Sequence, residues 1–290
     1  MPNFVTVDNS TREKLFQWFK YLIYFMIFLN VFYWLREDYI ASAYTFREGF
    51  GWQQVGDVFA QALDTFAWLI LLIAFEFETS VLSDEKLEKG WKWVLNAIAG
   101  ICYLFIVLAF LGYVKKFNLT MGFEPLSITD GCAAVGQYLS YAIDLDEYIA
   151  LTAANCMELT GTLYANPAAS MITTADTHMQ LEWLATAEVI NAGAWILIVL
   201  FLWIDMFIQL RGMEHGRLYR VNVVCKFLLY STLIIVCVYW GFEGNFMDFW
   251  DAFLWIVAFF LIEMNIFKWS EEIEAEHLEE EHKQESEHAL

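Results

Sequence analysis

Asp64, Asn191 and Asp251 each stand four residues before a tryptophan: Trp68, Trp195 and Trp255. Eight and ten residues after each tryptophan come Glu76 and Glu78, Trp203 and Asp205, and Glu263 and Asn265. The run between is apolar in all three places. At 1.5 Å per helical residue, the second polar level lies about 12–15 Å beyond the tryptophans. Carboxylates and amides are hard oxygen donors, suited to divalent cations such as Ca²⁺, Mg²⁺ or Mn²⁺ and to cation conduction. Polar groups inside a bilayer are expensive, so their repetition at one depth is the clearest chemical signal in the chain.

The elements that must carry these groups follow from composition. The chain has 290 residues, 59% hydrophobic and 18% aromatic, where a soluble domain is about 45–50% apolar. A bilayer core takes about 20 apolar residues as helix. Six stretches qualify: 15–36, 54–78, 92–114, 187–210, 222–242 and 249–268. The three prolines, Pro2, Pro125 and Pro167, fall outside all of them. The expected fold is therefore an all-α integral membrane protein with six unbroken transmembrane helices.

The odd stretches resemble one another as well. Phe32-Tyr-Trp34, Leu111-Gly-Tyr113 and Val238-Tyr-Trp240 close them, and Lys20 and Lys226 stand fourteen residues before Trp34 and Trp240. The unit is a helical hairpin, and three hairpins of one orientation are parallel repeats about the membrane normal. Residues 1–116 hold the first hairpin and the start of the second. Residues 187–269 hold the end of the second and the third. Between them, 117–186 is too long for a passive connection. Its two amphipathic stretches, 131–143 and 147–164, predict a helical extracytoplasmic cap. Residues 270–290 form an acidic tail, with nine Glu against one Lys from Glu271 onward.

Basic residues orient this arrangement. Twelve of the sixteen Lys and Arg fall on the side of the termini and the 79–91 and 211–221 loops. The other side has Arg36, Arg47, Lys115 and Lys116. The positive-inside rule puts both termini in the cytoplasm, in a plasma or bacterial inner membrane. The insertion then faces an oxidising compartment, where its two cysteines, Cys132 and Cys156, have one pairing open to them.

Two functions are consistent with the inner polar level. Glu76, Glu78, Asp205, Glu263 and Asn265 form the acidic site of a cation channel or transporter near its cytoplasmic mouth. Alternatively, the carboxylates pair with Lys20 and Lys226, and the chain is a non-catalytic membrane subunit or scaffold. Trp68, Trp195 and Trp255 then serve either as a gate or as packing between hairpins. No histidine lies mid-span, and no phosphate loop, nucleophile elbow, zincin or Cys-x-x-Cys motif is present, so enzymatic chemistry is not expected. No cofactor is evident beyond a divalent or monovalent cation, and the metal identity stays open. Expected partners are the lipid bilayer and either further copies or other membrane subunits. The net charge of −20 argues against nucleic acid.

Overall fold

The computed structural model describes residues 9–78, 91–210 and 216–262. Helix α1 spans Asn9–Thr45. A turn follows it, closed by the Gly49 N–H on the Phe46 carbonyl oxygen, with Gly49 at φ +86, a value glycine adopts without steric cost. A 3-10 turn Trp52–Gln54 and the short α2 Val55–Val58 follow. They meet α3, Ala60–Glu76, at 85°. Helix α4 is Lys92–Thr120, α5 is Ala175–Leu210 and α6 is Arg217–Glu243. A last helix, α7, covers 246–262.

Four helical segments are long and apolar enough to cross a bilayer: Lys14–Thr45, Lys92–Thr120, Ala175–Asp205 and Arg217–Glu243. The bent pair α2–α3 makes a fifth if counted as one span. The expected second span thus starts late. Residues before Ala60 run across its axis, and the 17 residues of α3 rise only about 25 Å. The end of the sixth expected span, with Glu263 and Asn265, lies outside the described residues, as does the acidic tail.

The insertion corrects the sequence reading. It is a five-stranded sheet and not a helical cap, so the chain is not all-α. The strands are β1 Glu124–Pro125, β2 Ser140–Ala142, β3 Tyr148–Ala150, β4 Leu163–Asn166 and β5 Met171–Thr174. Their order is β1-β4-β5-β2-β3, with β2 and β5 parallel and the other pairs antiparallel. The stretches 131–143 and 147–164 are broken by turns that a helix would not tolerate. Gly136 and Gly161 adopt φ of +87 and +84. Asp144 and Glu147 close the β2–β3 turn through backbone bonds. Alternating burial along β2 is the period-two pattern of a half-buried strand.

The core of the sheet is Ala134, Leu151, Leu159, Leu163, Ala165 and Ile172, with Cys156 among them. Cys132 and Cys156 are joined by a disulfide across a sequence separation of 24. Gly131 allows this closeness: a Cβ there would sit 2.4 Å from Leu159 Cβ and 2.5 Å from the Cys156 carbonyl oxygen. Cys102, Cys225 and Cys237 are free thiols.

The described residues form two compact units, one within 28–236 and one that joins 9–27 with 237–262. In the second, the end of α6 turns into α7 at Gly244, φ +89. The Cys237 thiol lies 3.7 Å from the Phe249 carbonyl oxygen, and the rings of Phe246 and Trp250 stack at 6.3 Å. In the first, α4 crosses α2 and α3 at Gly112, where an added Cβ would meet Ala60 Cβ and the Gly56 carbonyl oxygen, each at 2.8 Å.

Two outcomes are expected. Replacing Cys132 and Cys156 together by Ala should cost the insertion about 3 kcal/mol. Amide exchange over β2–β5 should accelerate while the helices keep their protection. Gly112→Ala should force α4 away from α2–α3 and destabilise by about 1–3 kcal/mol, read as a lower midpoint of thermal unfolding in detergent.

Candidate functional site

The inner polar residues meet different fates. Asp205 on α5 is gripped from α6: Lys226 forms an ion pair with its Oδ2 and Asn222 donates to its Oδ1. The two donors lie four residues apart, one turn, so both reach the same carboxylate. Glu76 is buried at the end of α3, and Glu78 is exposed. Lys20 is buried on α1, its ammonium 5.3 Å from the centre of the Tyr21 ring.

The Asp-x-x-x-Trp spacing has a local meaning. One helical turn puts the Asp64 carboxylate beside the Trp68 indole, whose Nε1 donates to it at 3.0 Å. Tyr113 of α4 donates to the same carboxylate at 3.4 Å. Trp68 and Trp195 are buried with ring centroids 6.4 Å apart. Trp255 belongs to the other unit, where its ring lies 6.4 Å from Phe259.

The densest set of buried ionisable groups described in the structure lies elsewhere, where α1, α3, α4, α5 and the β2–β3 turn converge. Asp38 of α1 is 7% exposed and accepts from the Ala62 backbone N–H at 3.0 Å. That N–H belongs to the first turn of α3, which has no partner within its own helix. A carboxylate there also meets the positive end of the helix dipole. Next along α3, Gln61 is 6% exposed and its Nε2 donates to Glu188 Oε1 at 3.2 Å. Glu188 of α5 is itself 7% exposed.

Lys116 of α4 completes the set. Its ammonium lies 2.9 Å from Glu188 Oε1 and 2.7 Å from Asp146 Oδ1. Asp146 sits in the β2–β3 turn, next to Asp144, where burial pushes the Asp144 carboxyl up from the usual range. Burial likewise raises the phenol of Tyr148 on β3, whose hydroxyl donates to the Leu145 carbonyl oxygen at 2.5 Å. Two carboxylates, Asp146 and Glu188, thus pair with one ammonium, and the buried Asp38 adds a third acid that interacts with it electrostatically. Two buried acceptors, Glu188 Oε2 and Gln61 Oε1, lack a hydrogen-bond donor. Among the described residues, no group of three or more His, Cys, Asp or Glu is arranged to hold a metal ion.

Further polar contacts fasten the sheet to the helix ends. Asn166 Nδ2 donates to the Leu119 carbonyl oxygen at 2.9 Å, and Arg47 donates to Ser140 Oγ. His178 stacks on Tyr164 at 4.5 Å, its Nε2 lying 3.2 Å from the Thr120 carbonyl oxygen. A carbonyl only accepts, so Nε2 carries the hydrogen.

Sequence reasoning missed this cluster, although two signals point to it. Glu188 is the sole acid between Glu182 and Asp205. Lys116 is one of the four basic residues on the sparsely basic side. An isolated charge near an apolar span marks a partner to be found.

No protein-family model, curated protein or solved structure matches this chain. Its chemistry therefore rests on the cluster itself. Lys116→Met should strand the Glu188 and Asp146 carboxylates and cost about 3–5 kcal/mol. Adding Glu188→Gln and Asp146→Asn should restore most of the thermal stability, because neither former partner of Lys116 then carries a charge.

Proposed function

We propose that the chain is an integral membrane protein that moves a small cation, as a channel or transporter. The observation that carries this reading is the excess of buried carboxylates over ammonium groups at the Lys116 cluster. Buried negative charge needs a proton or a cation to offset its lost hydration. The cluster supplies an acidic level at the outer ends of the helices. Glu76, Glu78 and Asp205 supply a second polar level toward the other ends of α3 and α5. Trp68 and Trp195 stand between the two levels along their helices.

In this reading six spans form three parallel hairpins, with both termini in the cytoplasm. The positive-inside count supports that orientation. The Cys132–Cys156 disulfide of the sheet supports it as well, because disulfides persist in oxidising compartments.

A second reading has its own support. The Asp205 carboxylate is already neutralised by Lys226 and Asn222, as a structural ion pair would be. A non-catalytic membrane subunit, with its sheet as the docking element, needs nothing more of that residue.

Purified protein in proteoliposomes separates the two. Fluxes of H⁺, Na⁺, K⁺ and Ca²⁺ are followed with ion-sensitive dyes under an imposed gradient. Transport of one of them is expected, with at least a tenfold loss in Glu188→Gln, a change that leaves Lys116 its charged partner Asp146. A parent protein that passes none of the four ions contradicts the transport reading and leaves the subunit reading standing.

A further inference from the structure

We infer that the Glu188 carboxyl is a proton-binding site, held as the neutral acid in a cyclic pair with the side-chain amide of Gln61. One half of the ring is already formed: Gln61 Nε2 donates to Glu188 Oε1 at 3.2 Å. The other half is two acceptors, Gln61 Oε1 and Glu188 Oε2, each buried and without a donor. These oxygens belong to the same two planar groups, which the existing bond already brings together. A carboxylate and an amide oxygen cannot satisfy each other, since both only accept. A single proton on Oε2 turns that oxygen into a donor toward Gln61 Oε1. It satisfies both orphans at once and closes an acid–amide ring.

The surrounding charges agree with a neutral Glu188. Facing it are Lys116 from α4, Asp146 and Asp144 from the β2–β3 turn, Tyr148 from β3 and Asp38 from α1. With Glu188 protonated, Lys116 retains Asp146 as its charged partner at 2.7 Å. Asp38 keeps the Ala62 N–H and the start of α3. With Glu188 ionised, the buried Asp38 and Glu188 and the half-buried Asp146 share one ammonium, and both orphan oxygens remain. A buried acceptor left without a donor loses its hydration with nothing in return, and the ionised state leaves two of them. Asp146 is partly exposed and shares Lys116 with Glu188, so it connects the site to water. The proton comes from, and returns to, solvent on that side.

This deepens the cation-transport proposal and rests on it in one respect: where a cation is moved, the proton is the ion that this site takes. The site itself is read by infrared difference spectroscopy on the full chain in proteoliposomes, stepping the pH upward from neutral. The signal is the C=O stretch of a protonated carboxyl, identified by its shift in D₂O. The parent protein should show this band and lose it as the pH rises. Glu188→Gln, which has the shape of the neutral acid, should lack one protonated carboxyl. Asp38→Asn should keep the Glu188 band. Gln61→Leu, which removes the acceptor of that proton, should shift the band or abolish it, and it serves where Glu188→Gln yields no folded protein. A spectrum unchanged in both Glu188→Gln and Gln61→Leu overturns the inference. If the band responds but no ion crosses the bilayer, the proton site stands and the transport reading falls. If Na⁺ or K⁺ crosses and the band is unchanged in both variants, transport stands and the proton site falls.

Discussion

The Lys116 ammonium is held where water reaches it poorly, and charges in that position require partners. The effective penalty for burying an ion is several kcal/mol, recovered only with good geometry. The partners come from separate segments: Asp146 from the β2–β3 turn and Glu188 from α5, with Gln61 of α3 bonded to Glu188 in turn. Asp38 of α1 adds a further buried carboxylate that holds the start of α3. Meeting these demands together fixes how α3, α4 and α5 are rotated about their axes. It also fixes where the sheet sits on their ends.

That rotation propagates down the helices through ordinary periodicity. Residues three, four and seven apart share a helix face. Gln61 therefore aligns with Asp64 and Trp68 on α3. Lys116 aligns with Tyr113, Gly112 and Ala109 on α4, and Glu188 with Ala192 and Trp195 on α5. The observed contacts follow this seam. Tyr113 reaches Asp64, the Gly112 surface touches Ala60, and Trp195 meets Trp68. Ala60, Tyr113 and Ala192 form one buried apolar cluster beneath the charges. The polar level orients the seam, and close packing at the small residues sustains it. Asp64 spans the two regimes, accepting from both an indole and a phenol.

The inner end is organised more simply. Asp205 finds Lys226 and Asn222 one turn apart on the next helix, a two-helix arrangement with no third segment required. The outer cluster instead combines four helices and a strand turn, with more acids than bases. This asymmetry is why the Lys116 cluster, and not the Asp205 pair at the other end of α5, carries the chemical interest of the chain.

Composition and local spacing determined much of this. Four of the six apolar runs became helices long enough to cross a bilayer, because a helix satisfies its backbone within the segment. Two cysteines in one insertion had a single partner each, and they are bonded. The four-residue step from Asp64 to Trp68 became an intrahelical hydrogen bond, since one turn is a local property. The sheet, the 85° bend before Ala60 and the cluster around Lys116 were decided only by tertiary structure. Ala-rich stretches such as 131–143 carry a helical pattern, but the parallel pairing of β2 with β5 joins residues about thirty apart, and turn glycines override local propensity. Asp38, Gln61, Lys116, Asp146 and Glu188 are scattered over 150 positions. Each by itself reads as an ordinary surface or interfacial polar residue. Their meaning arises when folding removes water from all of them at once, and periodicity along a chain does not record that event.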